Sequence, residues 1–229
     1  MEQLHNGFTL DTPPGTFPLS TDSMVLADFV RLPKNAAVAD LGAGCGTLGI
    51  LLCAKDPGCQ VTGIEIDPAA HRAAQDNICR NSLEDRMESI CGDLRALPSF
   101  IRGGSFDCCV SNPPYFTGGP ASAAVPAARR NDLCSAADLF RAAAWALRFG
   151  GDFFLVHKPE RLAELCACAS GAKLEPKRLC TVRHHPGSNI ALILLQCRKG
   201  AKPGLRWEEL CLHDASGAPT EQYREIYHL

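Results

Sequence analysis

The sequence predicts an α/β protein with a doubly wound, mostly parallel seven-stranded sheet and an antiparallel edge hairpin. Apolar runs typical of buried strands alternate with helical segments after residue 35, and turn-forming residues separate them. With 229 residues and 46% hydrophobic side chains, the chain can bury one sizeable core. We expect an N-terminal extension and helix over 1–35, the sheet domain over 36–200, and a tail over 201–229 that packs on it.

Each element follows from a local pattern. Ser20 is suited to cap a helix that reaches about Arg31. The predicted strands are 36–41, 60–66, 87–91, 106–112 and 152–157, and the predicted helices are 45–55, 68–81, 136–147 and 159–169. Strands around 178–184 and 189–198 are expected to form the hairpin, with a turn near Pro186-Gly187. The segments 207–212 and 221–227 are expected to form a short tail.

Composition restricts the class of protein. No apolar run reaches the roughly 18 residues that a membrane span requires, and the first residues lack the basic start and apolar stretch of a secretory signal. The 13 cysteines include no C-x-x-C pair, so we expect no metal site and interpret the thiols as small buried side chains. These features predict a cytosolic protein.

A glycine-rich segment joins the first strand of the sheet domain to the following helix. Gly42, Gly44 and Gly46 permit a tight turn there and allow a ligand to approach the helix N-terminus closely. The segment is ambiguous by itself, because Gly44, Gly46 and Gly49 also spell the G-x-G-x-x-G fingerprint of dinucleotide-binding proteins. The loop therefore predicts a nucleotide-containing cofactor without deciding which one.

Acidic residues at successive strand ends favour S-adenosylmethionine over a dinucleotide. Asp40 places a carboxylate beside the loop, which suits an ammonium group better than a pyrophosphate. Glu65 follows at a distance suited to the ribose hydroxyls of an adenosine. Asp93 ends the third strand, where it can accept the adenine amino group. For each acid, a helix cap or a surface position is the alternative interpretation.

The segment Asn112-Pro113-Pro114-Tyr115 follows a buried strand. Two consecutive prolines continue neither a helix nor a sheet, so Asn112 and Tyr115 should project at the end of the strand, where α/β sheets bind ligands. The Asn112 amide oxygen and the Pro113 carbonyl can accept the hydrogens of a planar amino group, and the Tyr115 ring can stack on a base. The tetrapeptide is typical of amino-group methyltransferases, and we expect Asn112, Pro113 and Tyr115 to be catalytic.

Positive charge is concentrated in one part of the chain. Residues 171–206 contain eight Lys and Arg and a single acid, Glu175, whereas the whole chain has a net charge of −2. This bias favours a nucleic-acid partner, with a solvated sheet edge as the alternative. The residues expected to contact its phosphates are Lys173, Lys177, Arg178, Arg183, Arg198, Lys199 and Lys202.

Taken together, these residues resemble those of the bacterial tRNA(Val) adenine N6-methyltransferase family, which has the Rossmann-like class I methyltransferase fold. The likeness extends from about Phe17 to Tyr227. It rests on segments 20–26, 40–46, 63–67, 85–86, 92–93, 112–115, 128–129, 156–160 and 183–186, on Asn77 and Asn81, and on the final Tyr223 to Tyr227. The sequence departs from the family pattern at Arg130-Asn131 and at 207–210.

The resemblance implies an enzyme that uses S-adenosylmethionine to methylate N6 of the adenine just 3′ of the anticodon in a tRNA(Val). It implies that Asp22 and Asn112 also contact the cofactor and that Arg129 contacts tRNA. Other activities stay open at this point: methylation of a different planar amino group, such as a protein glutamine amide or guanine N2 of rRNA, or tRNA binding without catalysis. The sequence gives no indication of an obligatory protein partner.

Overall fold

The computed structural model describes residues 1–13, 18–113 and 134–228. Two short strands near the N-terminus, β1 (Glu2–Gln3) and β2 (Thr9–Leu10), pair antiparallel. The main sheet of the described residues contains β3 (Ala37–Leu41), β4 (Gln60–Glu65), β5 (Met87–Cys91), β6 (Phe106–Ser111), β7 (Leu147–His157), β8 (Leu174–Arg183), β9 (Ile190–Lys199) and β10 (Arg206–Cys211). Their order across the sheet is β10-β8-β9-β7-β6-β3-β4-β5.

The direction of the strands gives the main sheet two different edges. All strand pairs are parallel except those made by β9, which is antiparallel to both β7 and β8. The last residues of the parallel strands therefore lie together at what is here called the carboxyl edge, and their first residues lie at the opposite amino edge. The strand order reverses beside β3, which pairs with β4 and β6. Ligands of open α/β sheets bind at the carboxyl edge of such a switch point.

Helices cover both faces of the main sheet. They are α1 (Thr21–Phe29), α2 (Thr47–Lys55), α3 (Pro68–Arg80), α4 (Ala136–Ala146), α5 (Leu162–Gly171) and α6 (Glu221–Tyr227). Adjacent strand residues point to opposite faces, and β7 illustrates the result. Phe153 packs edge-to-face on Phe140 of α4 with ring centroids 5.2 Å apart, and Phe154 packs on Phe29 of α1 at 6.1 Å. Each face thus has its own apolar cluster.

Asn77 of α3 and Asn81, the C-cap residue of this helix, hold the N-terminal segment against the domain. The Asn81 amide accepts from the Thr9 N–H and donates to the Thr9 carbonyl, at 2.7 and 2.8 Å. One turn earlier, the fully buried Asn77 makes the same pair of bonds with Asp11, both of 2.9 Å. Asn77 Nδ2 also donates to the Cys45 carbonyl at 3.0 Å, so one side chain joins the N-terminal segment to the glycine loop.

The predicted fold class is confirmed, with one additional strand in the main sheet. The segment expected to be a tail contains β10, which pairs in parallel with β8, so the main sheet of the described residues has eight strands in place of seven. The outermost strand on this side of the sheet is therefore β10 and not the hairpin of β8 and β9. An ion pair between Arg178 and Glu208 joins β8 and β10. β7 and β8 begin earlier than predicted, at Leu147 and Leu174. No helix among the described residues is both long and apolar enough to cross a membrane.

Candidate active site

A cavity of about 290 Å³ opens at the carboxyl edge, beside the ends of β3 and β6. Its walls come from the segment that leads into α1, from the glycine loop with the start of α2, and from the residues after β6. The lining residues are Pro18, Ser20, Asp22, Ser23, Asp40, Gly42, Ala43, Gly44, Cys45, Thr47, Leu48, Asn112 and Pro113. Sequence motifs that are far apart in the chain therefore meet at the switch point of the sheet.

The glycine loop has the geometry that its sequence predicts. Gly42, Gly44 and Gly46 have φ angles of +79°, +56° and +86°, which residues with a Cβ atom rarely adopt. A Cβ at Gly42 or Gly44 would meet no atom within 4 Å, so the backbone faces open space. Gly46 begins α2 as its N-cap. The loop therefore leaves room for a ligand to lie directly against its backbone.

Asp40 places a buried carboxyl group beside this space. Its side chain is 1% exposed, and neither carboxylate oxygen makes a hydrogen bond within the part of the chain that the structure describes. Burial raises the pKa of Asp40 to about 7, the nearby Gly49 amide opposes the rise, and the charge of Glu65 adds to it. Buried polar atoms normally have partners, so these two oxygens indicate a site for a cationic or hydrogen-donating ligand.

A second acid, Asp22, lines the same cavity from the first turn of α1. Burial raises the pKa of Asp22 above its ordinary value, and the charge of Lys158 opposes the rise. Two acids in one small cavity make it electronegative. The residues present thus fit the positively charged methionyl portion of S-adenosylmethionine, which Asp40 and Asp22 would hold while Gly42 and Gly44 leave space beside the loop.

Glu65 and Asp93 lie at the strand ends predicted for them but outside the lining of the cavity. Glu65 Oε2 accepts from the Gly44 N–H at 2.8 Å and Oε1 accepts from the Asp67 N–H at 2.8 Å, so Glu65 braces the glycine loop. Asp93 caps the following 3₁₀ helix, and hydrogen bonds from Arg95 hold the pKa of Asp93 below its ordinary value. The cap that the sequence left open as an alternative is thus present for Asp93. The contacts with ribose and adenine stay predictions.

Asn112 projects into the cavity at the end of β6, as the sequence predicts. Its Nδ2 donates to Ser23 Oγ at 3.0 Å, while the adjacent Ser111 Oγ donates to the Leu41 carbonyl at 2.7 Å and ties the ends of β6 and β3 together. Pro113 is buried at the cavity wall. Tyr115 and Arg129, predicted to contact base and tRNA, lie outside the described residues.

Sequence reasoning missed the contribution of the segment before β3. Pro18, Ser20 and Ser23 line the cavity together with Asp22. The helix cap at Ser20 could be found from the sequence and is present, since Ser20 Oγ accepts from the Ser23 N–H. The contact between Ser23 and Asn112 had no local signal, because 89 residues separate the two.

The expectation of one phosphate-binding face made of seven cations is corrected by the strand directions. Asp152 is the β7 residue opposite Arg198, and it precedes His157 by five residues, so Arg198 lies about 17 Å from the carboxyl edge. Lys173, Lys177, Lys199 and Lys202 belong to the same end of the hairpin, because Leu174 pairs with Lys199. Arg183, at the other end of β8, is the one member of the set placed at the carboxyl edge.

Several of these charges also have internal partners. Arg178 forms hydrogen bonds of 2.9 and 2.8 Å with Glu208 and lies 4.2 Å above the Phe29 ring. Arg198 pairs with Asp152, and Arg183 pairs with Glu209. Lys199 Nζ donates to the carbonyls of Ala144 and Leu147 on the α4 side of the sheet, and Lys177 Nζ donates to the Lys202 carbonyl. Arg198 and Lys199 thus point in different directions and do not form one surface.

Comparison with protein families and curated proteins gives a consistent result. The methyltransferase small domain family matches residues 9–165. A tRNA1(Val) (adenine(37)-N6)-methyltransferase of Bacteroides fragilis is 31% identical over 217 residues, which cover 91% of this chain and 90% of the relative. The enzyme of the same description from Shewanella sp. strain MR-4 is 28% identical over 224 residues, or 96% of this chain and 94% of the relative.

Solved structures share the fold. A predicted O-methyltransferase from Agrobacterium tumefaciens superimposes with a TM-score of 0.77 at 22% identity, over 91% of this chain and 96% of the other. Geranyl diphosphate C-methyltransferase from Streptomyces coelicolor, solved with S-adenosyl-L-homocysteine, gives a TM-score of 0.59 at 12% identity over 77% and 79% of the two chains. At these identities the similarity concerns the fold alone.

Proposed function

The chain belongs to the methyltransferase small domain family and, within it, to the tRNA1(Val) (adenine(37)-N6)-methyltransferases, and from this premise we propose that it methylates N6 of adenine 37 in tRNA1(Val) with S-adenosylmethionine as donor. The observation that carries the proposal is the position of Asn112, an amide at the rim of a cavity whose other walls carry Asp40, Asp22 and the glycine loop. We also propose that the protein acts in the cytosol, where tRNA is modified.

The cofactor residues have distinct tasks in this proposal. Bound S-adenosylmethionine supplies a methyl group that its sulfonium has already activated. Asp40 and Asp22 would bind the positively charged amino-acid portion, and Gly42 and Gly44 would allow the backbone to approach it. Glu65 would bind the ribose hydroxyls while it continues to brace Gly44, since a carboxylate has acceptor sites enough for both. Asp93 would accept from the adenine amino group.

Asn112 and Pro113 act on the substrate base. The adenine amino group is a poor nucleophile because its lone pair is delocalised into the ring. The Asn112 amide oxygen and the Pro113 carbonyl would accept its two hydrogens and favour a tetrahedral nitrogen. Tyr115 would stack the base after it leaves the anticodon loop. The proton departs after methyl transfer has made the nitrogen cationic, so orientation within the site supplies most of the acceleration and no base is needed before attack.

The test is methylation of defined tRNA transcripts. We expect incubation with labelled S-adenosylmethionine and an unmodified tRNA1(Val) transcript to yield N6-methyladenosine on nucleoside analysis. A transcript with guanine at position 37 is the matched control and should stay unlabelled, as should the reaction with Asn112→Ala protein. Label in guanine, equal label in both transcripts, or label only in a glutamine-containing peptide substrate would contradict the proposal.

A further inference from the structure

The side-chain amide of the catalytic Asn112 is held by a residue from a distant part of the chain. Asn112 Nδ2 donates to Ser23 Oγ over 3.0 Å, and Ser23 is 4% exposed. Both residues line the cavity, Ser23 from α1 and Asn112 from the end of β6. The hydrogen bond therefore joins the N-terminal helix directly to the residue that we place on the substrate amino group.

An asparagine amide is chemically asymmetric, and its orientation matters here. One side carries an acceptor oxygen and the other carries two N–H donors. The adenine amino group is itself a donor through its two hydrogens. If the Asn112 amide were rotated by half a turn, its NH₂ would face the substrate NH₂, and the acceptor contact would be replaced by an unfavourable donor-to-donor contact. With Nδ2 bonded to Ser23, the oxygen is left to face the substrate.

The Ser23 hydroxyl can fix this orientation because α1 is held at both of its ends. Ser20 caps the first turn, because Ser20 Oγ accepts from the Ser23 N–H at 3.4 Å. At the other end, Lys55 Nζ donates to the carbonyls of Ala27, Asp28 and Val30 at 2.8, 2.7 and 3.0 Å. A helix anchored in this way presents the Ser23 hydroxyl at a fixed position.

We propose that Ser23 is a positioning residue for methyl transfer: its hydroxyl accepts from Asn112 Nδ2 and so keeps the Asn112 oxygen turned towards the substrate amino group. This inference rests on the proposed function, because it assigns Ser23 a task in the same reaction. Ser23 itself touches Asn112 and is not assigned contact with the reacting atoms. Its removal should therefore affect the chemical step more than the binding of either substrate.

Ser23→Ala and Thr21→Val form a matched pair for the first test. Each deletes one hydroxyl from the first turn of α1, and the partner of the Thr21 hydroxyl is Tyr227, not Asn112. We expect Ser23→Ala to lower kcat roughly 3- to 10-fold, the range for one hydrogen bond. The KM values for both substrates and the calorimetric Kd of S-adenosylmethionine should change less than twofold. Thr21→Val should leave kcat unchanged.

A symmetrical side chain at position 112 gives the second test. The carboxylate of Asn112→Asp offers an acceptor oxygen in either orientation, so it has no need for Ser23 to select one. Ser23→Ala should therefore leave kcat unchanged when it is added to Asn112→Asp protein, although it lowers kcat in the parent. An equal loss in both backgrounds would overturn the proposal. If Asn112→Asp protein is too slow to measure, the comparison of kcat with KM in the first test decides.

The orientation of the amide can also be observed without activity. The side-chain NH₂ signal of Asn112, identified by its absence from a ¹⁵N–¹H spectrum of Asn112→Asp protein, should shift in Ser23→Ala protein and keep its position in Thr21→Val protein. If the wild-type enzyme is active and Ser23→Ala leaves kcat unchanged or alters only KM, the role of Ser23 is refuted while the proposed function stands. A wild-type enzyme that methylates no tRNA would refute the proposed function, and the amide signal would still report whether the contact exists.

Discussion

At the scale of single residues, we expect the raised pKa of Asp40 to make binding of S-adenosylmethionine depend on pH. The folded protein keeps a proton on Asp40 up to about pH 7 because the carboxyl is buried. A cationic ligand favours the charged carboxylate and lowers its pKa, so binding releases this proton. Affinity for S-adenosylmethionine should therefore increase as pH rises from about 6 to about 8, by less than tenfold per unit. Calorimetry in two buffers of different ionisation enthalpy measures both the affinity and the released proton.

Asp40→Asn separates this effect from other titrations, because the asparagine carries no proton to release. Its affinity for S-adenosylmethionine should be weaker at pH 8 and nearly independent of pH.

The stability of the protein without ligand should depend on pH in the opposite sense. An unfolded aspartate loses its proton near pH 4, about three units below the folded value, so the contribution of Asp40 to stability decreases between these two values as pH rises. Without ligand, Asp40→Asn protein should be more stable than the wild type at pH 8, as chemical denaturation would measure. A variant less stable than the wild type would show that another group of the protein stabilises the charged Asp40 carboxylate.

The residues that line the cavity could be predicted from the sequence where the motif is local. Asp40 lies near the end of β3 and Gly44 in the loop that follows directly, and Asn112 is placed by the two prolines that end its strand. Ser23 and Asn77 could not be predicted in this way. Their partners lie 89 and 66 residues away, so the contacts exist only after the sheet has brought α1, α3 and the N-terminal segment together.

At the scale of elements, Asn77 determines how firmly the N-terminal segment is attached. Asn77→Ala should lower the free energy of unfolding by about 2–3 kcal/mol, because it removes two hydrogen bonds to the partly buried backbone of Asp11 and one to the Cys45 carbonyl. Chemical denaturation measures this loss. Asp76→Ala on the same turn is the control, since Asp76 is exposed and should change stability by less than about 0.5 kcal/mol. Equal effects of the two substitutions would show that α3, not its contact with the N-terminal segment, is what matters.

The strand that sequence analysis missed is also an effect of element packing. Residues 206–211 alternate weakly and include two glutamates, so they do not resemble a buried strand. In the structure, the bidentate contact of Glu208 with Arg178 replaces an apolar pairing between β10 and β8. The two short N-terminal strands, β1 and β2, were not predicted either, but the other strands of the main sheet were predictable because their apolar runs are continuous and separated by turns. A pattern based on hydrophobicity alone cannot detect a strand that depends on an ion pair.

At the scale of the whole molecule, strand direction and internal pairing together determine which of the seven cations could contact tRNA if its stem extends from the carboxyl edge towards the amino edge. Counting charges along the chain gave seven candidates, but the count ignores strand direction and internal pairing. Arg198 is paired with Asp152, and Lys199 bonds the end of α4. Lys177 and Lys202 lie close together at the amino edge beside β8, and no ion pair with an acid is found for either among the described residues. An RNA stem that extends from the cavity along β8 and β10 would meet these two lysines.

Two double substitutions with the same change in net charge test this distinction. Lys177→Ala with Lys202→Ala should reduce the dependence of log Kd for tRNA on log salt concentration by up to about two units, roughly one for each lost phosphate contact. Arg198→Ala with Lys199→Ala should leave that slope unchanged and lower the thermal stability, because the ion pair between Arg198 and Asp152 is lost. Both variants should bind S-adenosylmethionine as the wild type does, since Arg198 lies about 17 Å from the carboxyl edge and the three lysines belong to the same end of the hairpin. If both pairs reduce the slope equally, overall charge governs tRNA binding; if only the Arg198 and Lys199 pair does, the RNA follows the β7 side of the sheet.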